Sequence, residues 1–161
     1  MSEHQLPQRS RVIQEHLQAA GIKTPVHELP DRTHTAAEAA TALGCEVGAI
    51  ASSLLFLADD EPLLVMTSGR HRVDLDVLAE EVGAAHIQMA TAKQVREMTG
   101  QAIGGVAPTG HPAPIRTVVD STLEQYEVIW AAAGTPHTVM PLTPADLIAL
   151  TQGTSLVVAA D

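Results

Sequence analysis

Apolar and polar positions recur along the chain in short runs, and the period of each run predicts a helix or a strand. Apolar side chains fall on one face of residues 9–20 at helical spacing, which predicts a first helix ended by a glycine. Capping-box spacing at Thr35 and a closing glycine predict a helix over residues 35–44, and closing glycines predict two more over residues 74–82 and 91–99. A cap, a proline and an acid predict a fifth helix that begins at residue 143.

Runs of aliphatic and β-branched residues predict the strands. Residues 50–58 and 63–68 flank the polar turn 59–62, which is the pattern of a β-hairpin. Shorter strands or extended segments are predicted at residues 25–29, 86–89, 115–119, 128–132, 138–142 and 155–159. Five short helices among about seven strands predict an α+β fold with a mixed sheet, in a single domain over residues 1–161, because the spacing is too irregular for a doubly wound α/β fold.

Composition narrows the classes of function. The 161 residues carry a formal net charge of −10, and Phe56, Tyr126 and Trp130 are the whole set of Phe, Tyr and Trp. A protein that follows a nucleic-acid backbone needs many Lys and Arg to displace counterions, and one that stacks successive bases needs aromatic side chains. The sequence therefore predicts no DNA partner, and any nucleic acid must be held locally or by its end.

Several common sites are missing from the sequence. Cys45 is the only cysteine, so no disulfide framework is predicted, and its place after Gly44 at a helix C-terminus is expected to raise the pKa of its thiol. The eight histidines lack metal-ligand spacing, and no P-loop, zinc-protease or nucleophile-elbow motif occurs, so we expect no metal and no cofactor. Without a signal-type leader or an apolar run of about 20 residues, we expect a cytoplasmic protein with no membrane partner.

The strongest chemical signal is the segment TGQAIGGVAPTG at residues 99–110, between a predicted helix and a predicted strand. Gly104 and Gly105 permit backbone angles closed to other residues and let a ligand approach the main chain. Adjacent N–H groups in such a loop form a concavity for a carboxylate, a phosphate or a developing oxyanion. From the spacing alone, a tight loop without a ligand explains the segment equally well.

The same segment resembles the TGxxxGGxxPxG signature of the YbaK/EbsC family, which includes free-standing aminoacyl-tRNA deacylases and the editing domain of bacterial prolyl-tRNA synthetases. Further segments are similar to the family's in order and spacing: TAAEAATALG (35–44), IASSLLF (50–56), SGRHRVD (68–74), VVDSTL (118–123), AAGTPHTV (132–139) and LTPADL (142–147). The resemblance implies the family's compact mixed β-barrel or sheet with surrounding short helices, in agreement with the α+β prediction.

The resemblance also implies a function. Similar proteins hydrolyse, in trans, the ester between a mischarged amino acid and the terminal adenosine of tRNA. The implied partner is the tRNA acceptor end, and an aminoacyl-tRNA synthetase is left open as a further partner. The chemistry needs an oriented water and donors for the tetrahedral oxyanion, and the resemblance implies backbone donors at Gly104, Gly105 and Val106, with Pro108 and Gly110 shaping the loop around the substrate.

Other substrate contacts are expected from the central hairpin and from two matched positions. Because a hairpin alternates its sides, we expect an apolar wall formed by Leu54, Phe56, Val65 and Met66. Asp120 and His137 match positions near the family's pocket. Asp120 is equally suited to cap a short helix that starts at Ser121, and His137 to end a turn.

The sequence departs from the family at Ser52, where the resemblance implies a lysine in the hairpin strand. A serine hydroxyl donates one hydrogen bond but brings no positive charge, and loss of a charge-assisted contact costs about 1.5–3 kcal/mol. Arg70 or Arg72 is a candidate for a relocated cation, and a solvated surface pair is the alternative. The departure favours, as the alternative function, a catalytically silent module that binds aminoacyl-tRNA or a small ligand.

Overall fold

The helices begin where the sequence places capping side chains. The computed structural model describes residues 7–30, 33 and 35–159. Within them the α helices are α1 Gln8–Ala19, α2 Ala36–Leu43, α3 Leu75–Val82, α4 Ala92–Thr99 and α5 Pro144–Thr151. The side chains of Thr35, Asp74, Thr91 and Thr143 each accept a hydrogen bond from a backbone N–H in the first turn, which confirms the predicted starts of α2 to α5. None of the described helices is long and apolar enough to cross a membrane.

The described strands form one mixed sheet. They are β1 His27–Glu28, β2 Ile50–Ala58, β3 Glu61–Ser68, β4 Ile87–Met89, β5 Arg116–Asp120, β6 Ile129–Ala132, β7 Thr138–Leu142 and β8 Thr154–Leu156. Their order is β1-β7-β6-β2-β3-β5-β8, and β4 pairs with β2 outside this path. The predicted α+β fold with a mixed sheet is confirmed. Two 3₁₀ helices, Val47–Ala49 and Ser121–Gln125, connect the strands.

Two strand boundaries differ from the predicted ones for local reasons. The hairpin turn consists of Asp59 and Asp60 alone, both with positive φ, so β3 begins at Glu61. The last strand is shorter than predicted because the carbonyl of Val158 accepts the N–H of Asp74 at the start of α3. The chain therefore leaves the sheet after Leu156 to close over that helix.

β2 is paired along its whole length on one edge and only at its two ends on the other. It pairs with β3 from Ala51 to Ala58. On the opposite edge, Ile50 and Ala51 pair with β6, and residues 56–58 pair with β4. Within the described chain no strand pairs with residues 52–54 on that edge, so the sheet splits there.

The hydrophobic core lies on both faces of the central hairpin. Alternate side chains of β2 and β3, including Leu55 and Met66, face a large cluster that also contains Ile13 and Leu17 of α1. The side chains on the opposite face of the hairpin, Phe56 of β2 and residues 63 and 65 of β3, pack against Leu78 and Val82 of α3. A third cluster joins α2 to Ile50 and Val139. The split in the sheet therefore lies between well-packed walls.

Candidate functional site

The split in the sheet opens into a cavity of about 570 Å³, here called the first cavity. Its walls come from β2, the N-terminal half of α2, the glycine-rich loop and the turn before β7. The lining residues used below are Ala36, Ala51, Ser52, Leu54, Gly104, Val106, Trp130 and His137. The glycine-rich loop and β2 are far apart in sequence, and the sheet brings them to one site.

Gln101 holds the glycine-rich loop in shape. Its side-chain amide is 4% exposed; its oxygen accepts the N–H of Ala107 at 2.7 Å, and its nitrogen donates to the carbonyl of Thr109 at 3.0 Å. Thr99 anchors the start of the loop, because its hydroxyl accepts the N–H of Gln101 at 3.0 Å. A buried side chain that binds the backbone at both ends of a loop fixes the loop's path.

Gly105 has a packing role, which corrects the expectation that it is a backbone donor. Its N–H donates to the carbonyl of Ala102 at 3.1 Å. A Cβ at this position would lie 2.5 Å from the carbonyl carbon of Thr135, so only glycine lets the two loops touch.

Gly104 and Val106 line the first cavity, and neither N–H has a hydrogen-bond partner among the described residues. Gly104 has a φ of +89°, which favours glycine, and Val106 is 3% exposed. Two unpaired N–H groups, two residues apart in a cavity wall, can both bind a carbonyl oxygen or an oxyanion.

Ser52 lies at the split of β2 and lines the first cavity, as the expected site requires. Its hydroxyl has no hydrogen-bond partner among the described residues. The next residue along, Ser53, instead donates to the sulfur of Met66 at 3.1 Å. No lysine or arginine lines the first cavity within the described ranges, so the cavity presents hydroxyl and backbone groups without a cation.

Pro108 and Gly110 lie outside the first cavity, and their contact with substrate remains a prediction. Both line a separate depression with His111 and the segment that follows. Gly110 has a φ of +83° and packs beside Ile13 of α1. These two residues fix the exit of the loop against α1.

The predicted apolar wall is only partly formed. Leu54 lines the first cavity, whereas Phe56 is 2% exposed and lines a neighbouring depression. Val65 is fully buried against the same face as Phe56. Met66 is paired with Ser53 and lies on the opposite face of the hairpin, in the main core, and it does not line the first cavity. The parity of the two strands decides this, because successive side chains point to opposite faces.

Asp120 is a buried anchor beneath the turn that follows β3. It is 1% exposed, and its carboxylate accepts the N–H of Ser68 at 3.0 Å and the N–H of Thr122 at 3.0 Å. His71 Nδ1 lies 3.1 Å from the same carboxylate. Asp120 thus caps the 3₁₀ helix Ser121–Gln125, as one of the two interpretations predicts, and it does not line the first cavity.

His137 lines the first cavity, in the turn that supports the glycine-rich loop. Its carbonyl accepts the N–H of Leu29 at 2.7 Å, and its N–H donates to the hydroxyl of Thr135 at 3.3 Å. The hydroxyl of Thr138, in the same turn, lies 2.8 Å from that of Thr135 and 2.9 Å from that of Ser10. The turn is therefore braced from α1, and its position determines where the glycine-rich loop rests.

Arg70 is exposed and lines neither the first cavity nor the depression beside it. Arg72 lines that depression, which has a volume of about 420 Å³ and is called the groove below. Of the two arginines considered for a relocated cation, the one placed beside Ser52 is therefore Arg72.

The remaining candidate groups contribute no chemistry to the cavity. Burial, together with the neighbouring Glu46, raises the pKa of the Cys45 thiol, against an opposing backbone hydrogen bond. The direction of this pKa shift matches the expectation. The expected cause was the helix C-terminus, whereas the main cause is burial. Within the described ranges no three His, Cys, Asp or Glu side chains converge in a way that could hold a metal ion.

Sequence reasoning missed several residues that build the site. Gln101 and Trp130 have no motif of their own, and Ala36 and Ala51 are indistinguishable from other alanines before folding. The available signal for Gln101 was its place between Thr99 and Gly104, since a polar residue inside a glycine-rich loop often binds the backbone.

Fold and cavity together define a mixed-sheet protein that presents main-chain donors in a pocket with no lysine or arginine among its described lining residues. Residues 31–150 match the family model described as "Aminoacyl-tRNA editing domain". A solved structure described as a candidate trans-editing enzyme for prolyl tRNA synthetase is 40% identical, with a TM-score of 0.92, and the match covers 98% of this chain and 100% of that one.

Two curated proteins are also similar to this chain in sequence. The uncharacterized protein YwhH of Bacillus subtilis is 26% identical over 136 residues, which is 84% of this chain and 86% of that protein. The proline–tRNA ligase of Nitratidesulfovibrio vulgaris is 32% identical over 91 residues, which is 56% of this chain and only 16% of the ligase. The chain belongs to the aminoacyl-tRNA editing domain family, which confirms the resemblance found in its motifs.

Proposed function

We propose that this protein is an aminoacyl-tRNA deacylase that acts in trans and hydrolyses the ester of a mischarged amino acid at the tRNA 3′ end. The observation that carries the proposal is the pair of unpaired N–H groups, at Gly104 and Val106, in the wall of the first cavity. Membership of the editing-domain family supports the same substrate class.

In the proposed reaction, the ester carbonyl lies against these two N–H groups and the amino-acid side chain fills the first cavity. A water attacks the carbonyl carbon, the oxyanion accepts both N–H hydrogen bonds, and collapse of the tetrahedral intermediate releases the amino acid and the ribose hydroxyl. One such donor contributes about 3–4 kcal/mol to transition-state stabilisation. The ester is already activated, so binding and orientation supply much of the rest.

Ser52 motivates the alternative function, a silent module that binds aminoacyl-tRNA or a small ligand. The first cavity contains no cation among the described residues, and its apolar wall with few polar groups is equally suited to binding alone. The two functions differ in turnover and share the same ligand.

The deciding experiment is hydrolysis of tRNAs mischarged with Ala, Ser, Cys, Pro or Thr by the purified protein. We expect release of at least one amino acid above the uncatalysed rate. A Gly104→Pro variant, which cannot adopt positive φ and lacks the N–H, serves as the matched inactive control. Background rates across the whole panel, with the tRNAs still bound, would select the silent module instead.

The Ser52→Lys variant tests what the missing charge costs. Ser52 is half-buried at the mouth of the cavity, so a lysine there can extend its ammonium towards solvent and substrate. We expect kcat/KM for the preferred substrate to rise about tenfold or more, because a charge-assisted contact replaces a neutral one. Ser53→Lys is the comparison: it tests a lysine on the adjacent residue, which also lines the first cavity but whose hydroxyl contacts Met66. Equal effects of the two variants would show that the gain comes from positive charge near the cavity rather than from the position of Ser52.

A further inference from the structure

The groove adjoins the first cavity on the other side of Ser52. Three residues, Ala36, Ser52 and Leu54, line both depressions, so the two adjoin at these residues. A substrate whose reacting ester lies at Ser52 therefore extends into both.

The groove has a flat apolar floor and one cation. Phe56 forms the buried floor, and Leu75 and Met89 are exposed at 39% and 55% on its sides. Exposed apolar side chains grouped around a concave surface indicate a ligand with an apolar face. The methionine sulfur and the arginine guanidinium both favour contact with a flat conjugated ring.

Arg72 is held at the groove by a buried anchor. The neighbouring His71 lies 3.1 Å from the carboxylate of Asp120, which also accepts the N–H of Ser68. This pair fixes the turn between β3 and α3, so the backbone of Arg72 is positioned while its side chain stays exposed. The nearest acid along the chain, Asp74, uses its carboxylate to accept the N–H groups of Asp76 and Val77.

From this arrangement we infer that the groove binds the 3′-terminal adenosine of the tRNA, with the base on Leu75 and Met89 and a backbone phosphate at Arg72. The inference rests on the proposed function, because it takes the ester to lie at Ser52. It assigns the two ends of the substrate: the amino acid in the first cavity and the nucleotide in the groove.

The opposite assignment fits the residues less well. The first cavity holds the two unpaired N–H groups and no cation among the described residues, which suits the ester carbonyl and a small side chain. A nucleotide needs a cation for its phosphate, and among the described residues it is the groove that contains an arginine. A groove of about 420 Å³ also lies within the range of about 300–1,000 Å³ typical of small-ligand sites.

Two arginines in one turn provide a matched test. Arg70 and Arg72 are both exposed, and each change to glutamine removes one positive charge, but only Arg72 lines the groove. In deacylation of the preferred mischarged tRNA, we expect Arg72→Gln to raise KM about tenfold with kcat within about twofold, and Arg70→Gln to change neither parameter appreciably. Equal KM effects of the two variants would overturn the inference, since they would reflect overall charge alone.

Binding of 5′-AMP to the full chain, followed by amide chemical shifts, tests the groove without any reaction. We expect shifts at residues 69–73 and at Met89 that Arg72→Gln weakens and that ribose 5-phosphate does not reproduce. Shifts centred on Gly104 and Val106, equal shifts with ribose 5-phosphate, or none at millimolar 5′-AMP would overturn the assignment of the base.

The two experiments separate the inference from the function on which it rests. If no mischarged tRNA is hydrolysed but 5′-AMP still shifts the groove residues, the deacylase fails and the nucleotide site stands. If hydrolysis is observed and Arg72→Gln behaves as Arg70→Gln, the deacylase stands and the nucleotide site fails.

Discussion

Gly105 makes the closest contact between the two loops of the candidate site. Its missing side chain leaves the space that the backbone of Thr135 and Pro136 occupies, and a Cβ would meet three of their atoms within 3 Å. Since the atoms in the way belong to the main chain, no rotamer change can relieve the clash. The position of Gly104 and Val106 in the cavity therefore depends on a residue that does not itself face the ligand.

The Gly105→Val variant is expected to lose deacylation by about 100-fold or more, because the loop must move away from the turn and carries the donor N–H groups with it. We expect the variant to fold with reduced stability, because Val106 and Ala107, the next residues of the loop, belong to the main core. Activity on the preferred mischarged tRNA and the midpoint of thermal unfolding measure the two effects separately.

Gly83→Ala is the control for a general loss of stability. Gly83 has a φ of +73° at the end of α3, and a Cβ there would meet no atom within 4 Å, so the change adds backbone strain without a clash. We expect it to cost about 1 kcal/mol of stability and leave the activity intact. A fully active Gly105→Val would rule out the glycine-rich loop as the site.

At the scale of elements, the segment between α4 and β5 is held at several points along its length. Gln101 binds Ala107 and Thr109, and His111 Nε2 lies 2.9 Å from the carbonyl of Ala107. Burial lowers the pKa of His111, the nearby His16 lowers it further, and the hydrogen bond to Ala107 opposes the shift. The folded segment therefore favours the neutral imidazole.

This shift predicts a pH dependence of stability. The unfolded chain protonates His111 near its ordinary pKa of about 6.5, whereas the folded chain does so only at lower pH. The contribution of His111 to the free energy of unfolding is therefore complete above a pH of about 6.5, the pKa in the unfolded chain, and is lost as the pH falls towards the pKa in the folded chain. Urea unfolding of the wild type and of His111→Gln between pH 7.5 and 5 should show a stability difference that narrows on acidification.

Contributions common to the two proteins cancel in this difference. His86→Gln, at an exposed position, is the control and should show a smaller dependence on pH. A stability difference between wild type and His111→Gln that stays constant from pH 7.5 to 5 would contradict the proposed burial of a neutral imidazole.

At the scale of the whole molecule, the net charge of −10 constrains how a polyanion can bind. The groove contributes one arginine, and the first cavity contributes none among the described residues. A protein of this charge gains little from contacts along an acceptor stem. In the proposed function, the 3′ end therefore provides most of the binding energy.

The salt dependence of tRNA binding tests this distribution of contacts. The logarithm of the binding constant falls by about 0.9 per phosphate contacted for each tenfold rise in salt, so one to three contacts predict a slope between about −1 and −3. Binding of uncharged tRNA and of a short hairpin with the same 3′ end, measured between 50 and 200 mM salt, should give similar slopes. A slope steeper than about −5 for tRNA alone would show an extended basic interface instead.

Whether a structural feature could be predicted from the sequence depended on whether it is local, that is, formed by residues close together in the chain. The caps at Thr35, Asp74, Thr91 and Thr143 were predictable because a cap involves residues two or three positions apart. The hairpin turn was placed correctly but predicted too long, because two aspartates with positive φ form a tighter turn than their sequence indicates. Val65 and Met66 were expected in one wall, but neighbouring residues of a strand point to opposite faces, and Met66 lies in the main core.

The amino-acid sequence by itself determined the helix starts, the central hairpin, the α+β class and the family, since each is encoded by residues close together or by motifs in fixed order. Only the tertiary structure decided that no described strand pairs with residues 52–54 on the second edge of β2, that the N–H of Gly105 is already bound, and that Arg72 rather than Arg70 lines the groove. These features arise where segments distant in sequence pair or fail to pair. Hydrogen bonding between distant segments leaves no pattern in either segment alone.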